Sequence, residues 1–134
     1  MKKNKVKIIA EIGWNHMGSL SLAKKMIKSA ALSGADMVKL QTWSEKNLKN
    51  GPWDSDGRRE IYKKAELNQS DYLKLKSFSK KFNIELFTSL FNLKDYEKIE
   101  KCKFNVIKIP SHETYNLELI KFCLKNYKIL LLKV

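Results

Sequence analysis

Polar and charged residues stand at the ends of short apolar runs in this sequence, which is where parallel α/β folds collect their chemistry. The set comprises Glu11, Asn15, His16, Lys39, Gln41, Thr88, Ser89, Lys108, Ser111, His112 and Glu113. A lysine inside an apolar run loses its hydration, and this cost is offset only where the ammonium meets a partner or an anion. Two lysines with two hydroxyls therefore indicate a site for a phosphate or a carboxylate. The two glutamates add acid–base or hydroxyl-binding capacity.

Simpler interpretations are open for several of these residues. Lys39 and Lys108 could alternate outward on amphipathic strands. His16 and His112 lack the HxxxH or HxH spacing of a metal chelate, so both are expected to form hydrogen bonds in loops, and no metal ligand is assigned. Ser19 is expected to cap a helix rather than to act as a nucleophile.

Five short apolar runs alternate with amphipathic segments of helical spacing, and together they must position these residues. The runs cover residues 5–12, 36–43, 84–91, 104–109 and 128–134. Helical segments are expected after Ser19, from Ser70, over 92–101 and after Asn116. This alternation, at about 25 to 35 residues per unit, predicts βαβ crossovers and one parallel sheet.

The polar stretch that follows the second run contains Gly51, Pro52 and Gly57, and it is expected to be a long loop. Three tryptophans fall in or next to predicted loops, at Trp14, Trp43 and Trp53. They are expected to pack the loops over the mouth of the site. A role for one of them in stacking against a sugar is a second interpretation.

Two α/β architectures fit five runs and four helical segments. A five-stranded doubly wound sheet would be a complete domain, whereas an eight-unit barrel takes roughly 250 residues and would be about half present. The sequence stops inside the apolar run 128–134. Because a strand in that place would leave an edge unpaired, the unfinished barrel is the favoured expectation.

Composition narrows the class of protein further. The 134 residues carry 27 Lys and Arg against 14 Asp and Glu, a formal charge of +13, but only Arg58 and Arg59 are arginines and the lysines are scattered. This is typical of a solvated surface rather than of a nucleic-acid interface. Cys102 and Cys123 have no spacing that suggests a disulfide or zinc. No apolar stretch approaches a membrane span or a signal peptide, so a cytoplasmic protein is expected.

A series of motifs resembles one known family. The strings IIAEIGWNHMGSLSLAKKMI, GADMVKLQT, EIYKKAELNQSDYLKLKSF, FTSLF and IKIPSHETYNLELI are similar, in order and spacing, to the N-terminal half of the sialic acid synthases, which make N-acetylneuraminate, legionaminate or pseudaminate. The resemblance runs from about residue 6 to residue 132. It implies a (β/α)8 TIM barrel of which residues 1–134, as a single truncated domain, hold four βα units and a fifth strand.

The resemblance also implies a reaction. Family members condense phosphoenolpyruvate with an N-acetylated aminosugar such as N-acetylmannosamine, with a divalent metal, manganese or magnesium, as cofactor. The family's metal-binding histidines, its second half-barrel and its antifreeze-like domain have no counterpart in this chain. Among family motifs, Lys39 matches a residue that binds phosphoenolpyruvate, Ser89 a phosphate contact, and Lys108 and Ser111 the residues that grip phosphoenolpyruvate.

The sugar side of the site is implied in the same way. Glu11 matches a carboxylate that contacts the open-chain sugar, Gln41 a residue that hydrogen-bonds the sugar, and Glu113 a glutamate near the reacting carbonyl, which makes Glu11 and Glu113 the candidate catalytic residues. Trp14 and His112 depart from the family pattern, as do Leu90, Pro110, Lys133 and Val134. The departures at Trp14, Pro110 and His112 bear on the identity of the sugar more than on the binding of phosphoenolpyruvate. Lys133 and Val134 stand where the family has a serine that contacts the phosphate.

Two functional hypotheses follow from the resemblance. One is a synthase-like protein that is inactive by itself and requires a complementary half-barrel chain. The other is a non-catalytic binding or assembly subunit that forms a homo-oligomer or docks on a full-length synthase. Nucleic-acid binding through the positive charge ranks last, and no membrane partner is expected.

Overall fold

The computed structural model describes residues 6–132, which form one parallel sheet with helices packed on one face. Its strands are β1 (Ile9–Gly13), β2 (Met37–Thr42), β3 (Glu85–Leu90), β4 (Val106–Ile109) and β5 (Ile129–Leu132). Its helices are α1 (Leu20–Leu32), α2 (Arg58–Ala65), α3 (Gln69–Lys80) and α4 (Leu117–Asn126). No helix in this part of the chain is long and apolar enough to cross a bilayer.

The strands lie in the sequential order β1-β2-β3-β4-β5, and all four pairings are parallel. A doubly wound sheet reverses its strand order at a switch point, whereas a β/α barrel adds strands in one direction. The order therefore decides between the two predicted architectures. The prediction of a partial TIM barrel, with four βα units and a fifth strand, is confirmed.

The two faces of the sheet have different characters, because successive side chains of a strand point to opposite sides. One face carries Val38, Leu40 and Ile107, which join the large apolar core beneath the helices. The other face carries a small apolar cluster of Met37, Phe87 and Val106. Lys39, two residues after Met37, shares that second, concave face and is only 2% exposed. The interpretation in which Lys39 alternates outward to solvent is thus wrong.

The outer strands are less covered than the inner ones. All of β2 except Gln41 is buried, whereas Ile9 in β1 is 39% exposed and Ile129 and Leu132 in β5 are each 46% exposed. β1 and β5 are more exposed because each has one neighbouring strand in the described sheet. Residue 5 and residues 133–134 of the predicted runs lie outside the described residues.

Two connections differ from the sequence prediction. The expected loop after β2 contains α2, which follows Gly57 in the left-handed conformation at φ 82°. Five of its eight residues are charged and Ala65 is its only buried residue, so the segment was taken for part of the polar loop. The expected helix over 92–101 is instead two 3₁₀ segments, Leu93–Lys98 and Glu100–Cys102. The core-facing residues there are Leu93, Tyr96, Ile99 and Cys102, which recur every three residues as a 3₁₀ helix requires.

The helix caps follow the prediction closely. Ser19 accepts a hydrogen bond from the Leu22 amide at the start of α1, and Asn116 accepts one from the Leu119 amide at the start of α4. The cap of α3 is Asn68, which pairs reciprocally with Asp71, so this helix begins one residue before Ser70. Within α3, Tyr72 is buried and the neighbouring Leu73, predicted to be buried, is 38% exposed.

Two left-handed glycines allow a matched test of the loop between β1 and α1. Gly18 (φ 80°) lies against the end of α2, where an added Cβ would overlap the carbonyl oxygen of Lys64, whereas Gly34 (φ 84°) faces open space. Gly34→Ala should cost about 1–2 kcal/mol of unfolding free energy for the backbone conformation alone. Gly18→Ala should cost at least about 3 kcal/mol, because a steric clash is added. Urea unfolding monitored by circular dichroism measures both, and equal losses would show that this loop does not pack against α2.

Candidate functional site

A buried lysine links the first three strands. Lys39 stands opposite Glu11 in the pairing of β1 with β2. The Lys39 ammonium lies 2.8 Å from Glu11 Oε1 and donates a 3.1 Å hydrogen bond to Ser89 Oγ on β3. Only 3% of the Lys39 side chain is exposed, against 59% of that of Glu11. Three of the predicted site residues therefore meet in one hydrogen-bonded group.

A second lysine lies next to this group. Lys108 is the register partner of Ser89 in the pairing of β3 with β4. Burial lowers the pKa of Lys39 below its ordinary value, the charge of Lys108 lowers it further, and the hydrogen bond and charge of Glu11 oppose the shift only in part. An anion bound near Ser89 would offset both the repulsion between the two lysines and the lost hydration of Lys39.

A cavity of about 580 Å³ opens at the carboxyl ends of the strands. Its lining includes five of the seven predicted site residues: Gln41, Ser89, Lys108, Ser111 and Glu113. Lys39 and Glu11 are not part of the lining, but they contact it through the hydrogen bond from Lys39 to Ser89. The structure thus brings all seven to one end of the sheet.

Aromatic rings form a wall along this cavity. Trp14 meets Tyr62 at 5.8 Å between ring centroids, Tyr62 meets Trp43 at 6.1 Å, and Trp43 meets Phe91 at 5.9 Å, all edge to face. His112 continues the wall at 5.2 Å from Phe91. Such a surface accepts the apolar faces and methyl groups of a ligand.

Only some of the residues of this aromatic wall were predicted from the sequence. All three tryptophans line the cavity, so the prediction that they pack around the mouth is confirmed. Tyr62 was missed because it lies on α2, which the sequence reading treated as loop.

Hydrogen bonds among buried hydroxyl groups fix the backbone of Gln41. The Tyr72 hydroxyl donates to the Gln41 carbonyl oxygen at 2.7 Å and accepts from Thr42 Oγ1 at 3.0 Å. Thr42 and Thr88 are in turn joined at 2.8 Å. All three hydroxyl-bearing residues are buried, so this chain of hydrogen bonds links α3 to β2 and β3 directly beneath the cavity.

Glu113 is a buried carboxylate with a partner on each oxygen. Oε1 accepts from the Lys49 ammonium at 2.6 Å, and Oε2 accepts from the Asn116 side chain at 2.9 Å. Burial by itself would raise the pKa of Glu113, but the hydrogen bonds from Lys49 and Asn116, with the charges of Lys49 and His112, hold this pKa below its ordinary value. Glu113 is therefore ionised at neutral pH. Lys49 was missed by sequence reasoning, because it comes from an irregular loop.

The histidines occupy different surroundings. His16 is fully buried and accepts a hydrogen bond from the Gly18 amide on Nδ1 at 3.1 Å, which confirms its predicted loop role. Its Nε2 has no hydrogen-bond partner in the described part of the chain, and burial lowers its pKa. His112 packs against Phe91.

Among residues 6–132 no group of three or more His, Cys, Asp or Glu side chains could hold a metal ion. The described residues therefore do not fit the divalent metal that the resemblance implies, and no chemical step is derived through it.

The fold and the site together define a β/α-barrel protein with a cationic, hydroxyl-rich rim at the carboxyl ends of its strands. Comparison with known proteins gives the family. Residues 26–134 match the NeuB family, and the chain belongs to that family.

Named relatives agree with this assignment. The chain is 37% identical to the N,N'-diacetyllegionaminic acid synthase of Campylobacter jejuni, over 95% of the chain and 42% of the relative. It is 32% identical to the pseudaminic acid synthase of Helicobacter pylori, over 94% and 40%. The crystal structure of N-acetylneuraminic acid synthetase from Leptospira borgpetersenii, in complex with citrate, superposes with a TM-score of 0.85 at 30% identity, over 96% of this chain and 44% of that one. The chain thus spans less than half the length of these proteins.

Lys39→Met should change how stability depends on pH. Because the folded-state pKa of Lys39 is below its ordinary value of 10.5, the unfolded chain binds this proton more tightly. The free energy of unfolding should then rise as pH increases through the window between the folded-state value and 10.5. Below that window Lys39 is protonated in both the folded and the unfolded chain, so folding bears the full cost of burying its charge. Removing the charge should leave stability at pH 7 unchanged or up to about 1–4 kcal/mol higher, since Glu11 stays solvated.

Urea unfolding at pH 7 and in the alkaline window checks this expectation. Lys39→Met should flatten the rise in stability, and the exposed control Lys101→Met should keep the slope of the unmodified chain. A steeper rise in Lys39→Met would contradict the inferred direction of the pKa shift.

Proposed function

We propose that this chain is a sialic acid synthase-like protein whose described residues bind phosphoenolpyruvate. The observation that supports the proposal is that Lys39 on β2 and Lys108 on β4 flank Ser89, which lies on the strand between them. Phosphoenolpyruvate carries a phosphate and a carboxylate, which suit two ammonium groups and several hydroxyls. Ser111, at the same cavity, supplies a further hydroxyl. The names of the relatives, all synthases of nonulosonic acids, support carbohydrate biosynthesis as the setting.

The proposed family reaction gives these residues definite roles. The C3 carbon of phosphoenolpyruvate forms a bond to the aldehyde carbon of the open-chain sugar, and the aldehyde oxygen takes up a proton to become a hydroxyl. Water adds at C2, and inorganic phosphate leaves as the keto acid forms. The lysines would hold the phosphate as charge shifts onto it, and Glu11 and Glu113 would orient sugar hydroxyls and the water.

The aminosugar is proposed to lie along the aromatic wall. N-acetyl groups bring apolar methyls that pack on aromatic rings, and Gln41 and Glu113 line the same cavity for hydrogen bonds to hydroxyl and amide groups. N-acetylmannosamine or a diacetylated relative is the proposed substrate class. The free cysteines fit a reducing, cytoplasmic location.

A second candidate function rests on the open edges of the sheet. Ile9 on β1 and Ile129 and Leu132 on β5 expose apolar surface beside backbone edges that have one strand neighbour each among residues 6–132. Such edges pair with other chains unless they are covered. A complementary half-barrel chain would restore a synthase, and a second copy or a full-length synthase would make this chain an assembly subunit.

Phosphoenolpyruvate binding tests the first proposal directly. Lys108→Met should weaken binding at least about tenfold, because one charge-assisted contact to the anion is worth about 1.5–3 kcal/mol. Lys101→Met, an exposed lysine away from the cavity, should bind as the unmodified chain does. Isothermal titration calorimetry at fixed salt measures both. Equal weakening by the two variants would mean a general charge effect and would overturn the site.

Catalysis requires a separate experiment. The chain alone, given phosphoenolpyruvate, N-acetylmannosamine and Mn²⁺, should make no detectable nonulosonic acid. Addition of a polypeptide carrying the remaining barrel strands of a NeuB relative should restore product, measured by mass spectrometry. Turnover by the chain alone would refute the need for a second half. If light scattering shows a stable oligomer and the mixture makes no product, the assembly-subunit function is favoured instead.

A further inference from the structure

We propose that Lys49 is a positioning residue for Glu113, holding this carboxylate ionised and its Oε1 oxygen toward the cavity. The biological role of this ion pair rests on the proposed function of the cavity. The structural evidence is one contact, the 2.6 Å ion pair between Lys49 Nζ and Glu113 Oε1.

The two partners of Glu113 differ in how firmly they are held. Asn116 is the N-cap of α4: its Oδ1 accepts from the Leu119 amide at 3.1 Å while its Nδ2 donates to Glu113 Oε2 at 2.9 Å. The Asn116 amide also donates to the Glu113 carbonyl oxygen at 3.0 Å. One carboxylate oxygen is thus fixed by a helix terminus, and the orientation of the other depends on Lys49.

The loop that carries Lys49 is built to reach this position. At its base Arg59, on α2, pairs with Asp54 and with Glu45, each at 2.5 Å, and so fastens both sides of the loop to one guanidinium. The Lys49 carbonyl accepts a 2.9 Å hydrogen bond from the Trp53 indole within the same loop. The backbone of Lys49 is therefore held although 74% of its side chain is exposed.

A second contact crosses from this loop to the far side of the cavity. Asn47 donates a 2.8 Å hydrogen bond to Oδ1 of the buried Asp95, in the 3₁₀ segment after β3. Lys49 and Asn47 together connect the loop after β2 with the ends of β3 and β4. Lys49 is the one of the two that brings a charge to a predicted catalytic residue.

The chemistry assigns Glu113 a role. A carboxylate oxygen has two acceptor sites, so Oε1 can accept from Lys49 and still accept from a sugar hydroxyl or a water. Because Lys49 favours the ionised form, Glu113 acts as an acceptor or a base rather than as an acid. The charges that act on Glu113 are those of Lys49 and His112. Other charged groups lining the cavity are Arg58, Asp95 and Lys108.

The test is the titration of Glu113 by NMR of the side-chain carboxyl carbon, on the full chain without ligand, with the signal assigned by Glu113→Gln. Lys49→Met should raise the titration midpoint, since burial then acts without its main counterweight. Lys49→Arg should return the midpoint to the low value. Lys46→Met, an exposed lysine of the same loop, should leave it unchanged.

Each opposite outcome overturns the proposal. An unchanged midpoint in Lys49→Met would show that Lys49 does not set the state of Glu113. An equal rise in Lys46→Met would assign the effect to the overall positive field, and failure of Lys49→Arg to lower the midpoint would remove the charge argument. Lys49→Gln repeats the test if Lys49→Met does not fold. Phosphoenolpyruvate binding to the unmodified chain tests the proposed function separately, so the proposal for Lys49 and the proposed function can fail independently.

Discussion

The burial of one ammonium group governs the arrangement of the whole site. Lys39 lies on the concave face of the sheet, where water is excluded, and an unpaired charge there would be strongly unfavourable. Glu11 on β1 and Ser89 on β3 provide the two polar contacts that the structure shows for it. This requirement constrains how the three strands align, and it places Lys39 and Lys108 on either side of Ser89.

The concave face is ordered along the strands. Met37, Phe87 and Val106 form an apolar layer near the strand beginnings, and the polar layer of Lys39, Ser89 and Lys108 follows toward the strand ends. Because parallel strands run in one direction, a two-residue step along each strand moves every side chain from the first layer to the second. The apolar layer and the polar layer thus follow each other along one face of the sheet. The strand register that brings the apolar side chains together also brings the polar side chains together.

Much of this could be predicted from the sequence, because the signals are local or follow from strand direction. Ser19 and Asn116 were predicted as caps from residue type and position, and the seven site residues were predicted from the family motifs that lie at the strand ends. Three features could not be read. Tyr62 lies on a short helix rich in charged residues, and the 3₁₀ segments repeat every three residues rather than 3.6. Lys49 reaches Glu113 across 64 residues through a loop held by Arg59. Each depends on contacts that form only when the chain is folded.

The polar residues around Lys39 and the exposed apolar residues at the edge of the sheet belong to different strands. Lys39, Ser89 and Lys108 are held by β2, β3 and β4, each of which has a strand on both sides in the described sheet. The exposed apolar residues Ile129 and Leu132 belong to β5 at the edge. Covering that edge would bury apolar surface at about 25 cal/mol per Å² without disturbing the lysine pair. The buried lysine on the inner strands and the exposed apolar residues at the β5 edge are therefore separate features of the described sheet.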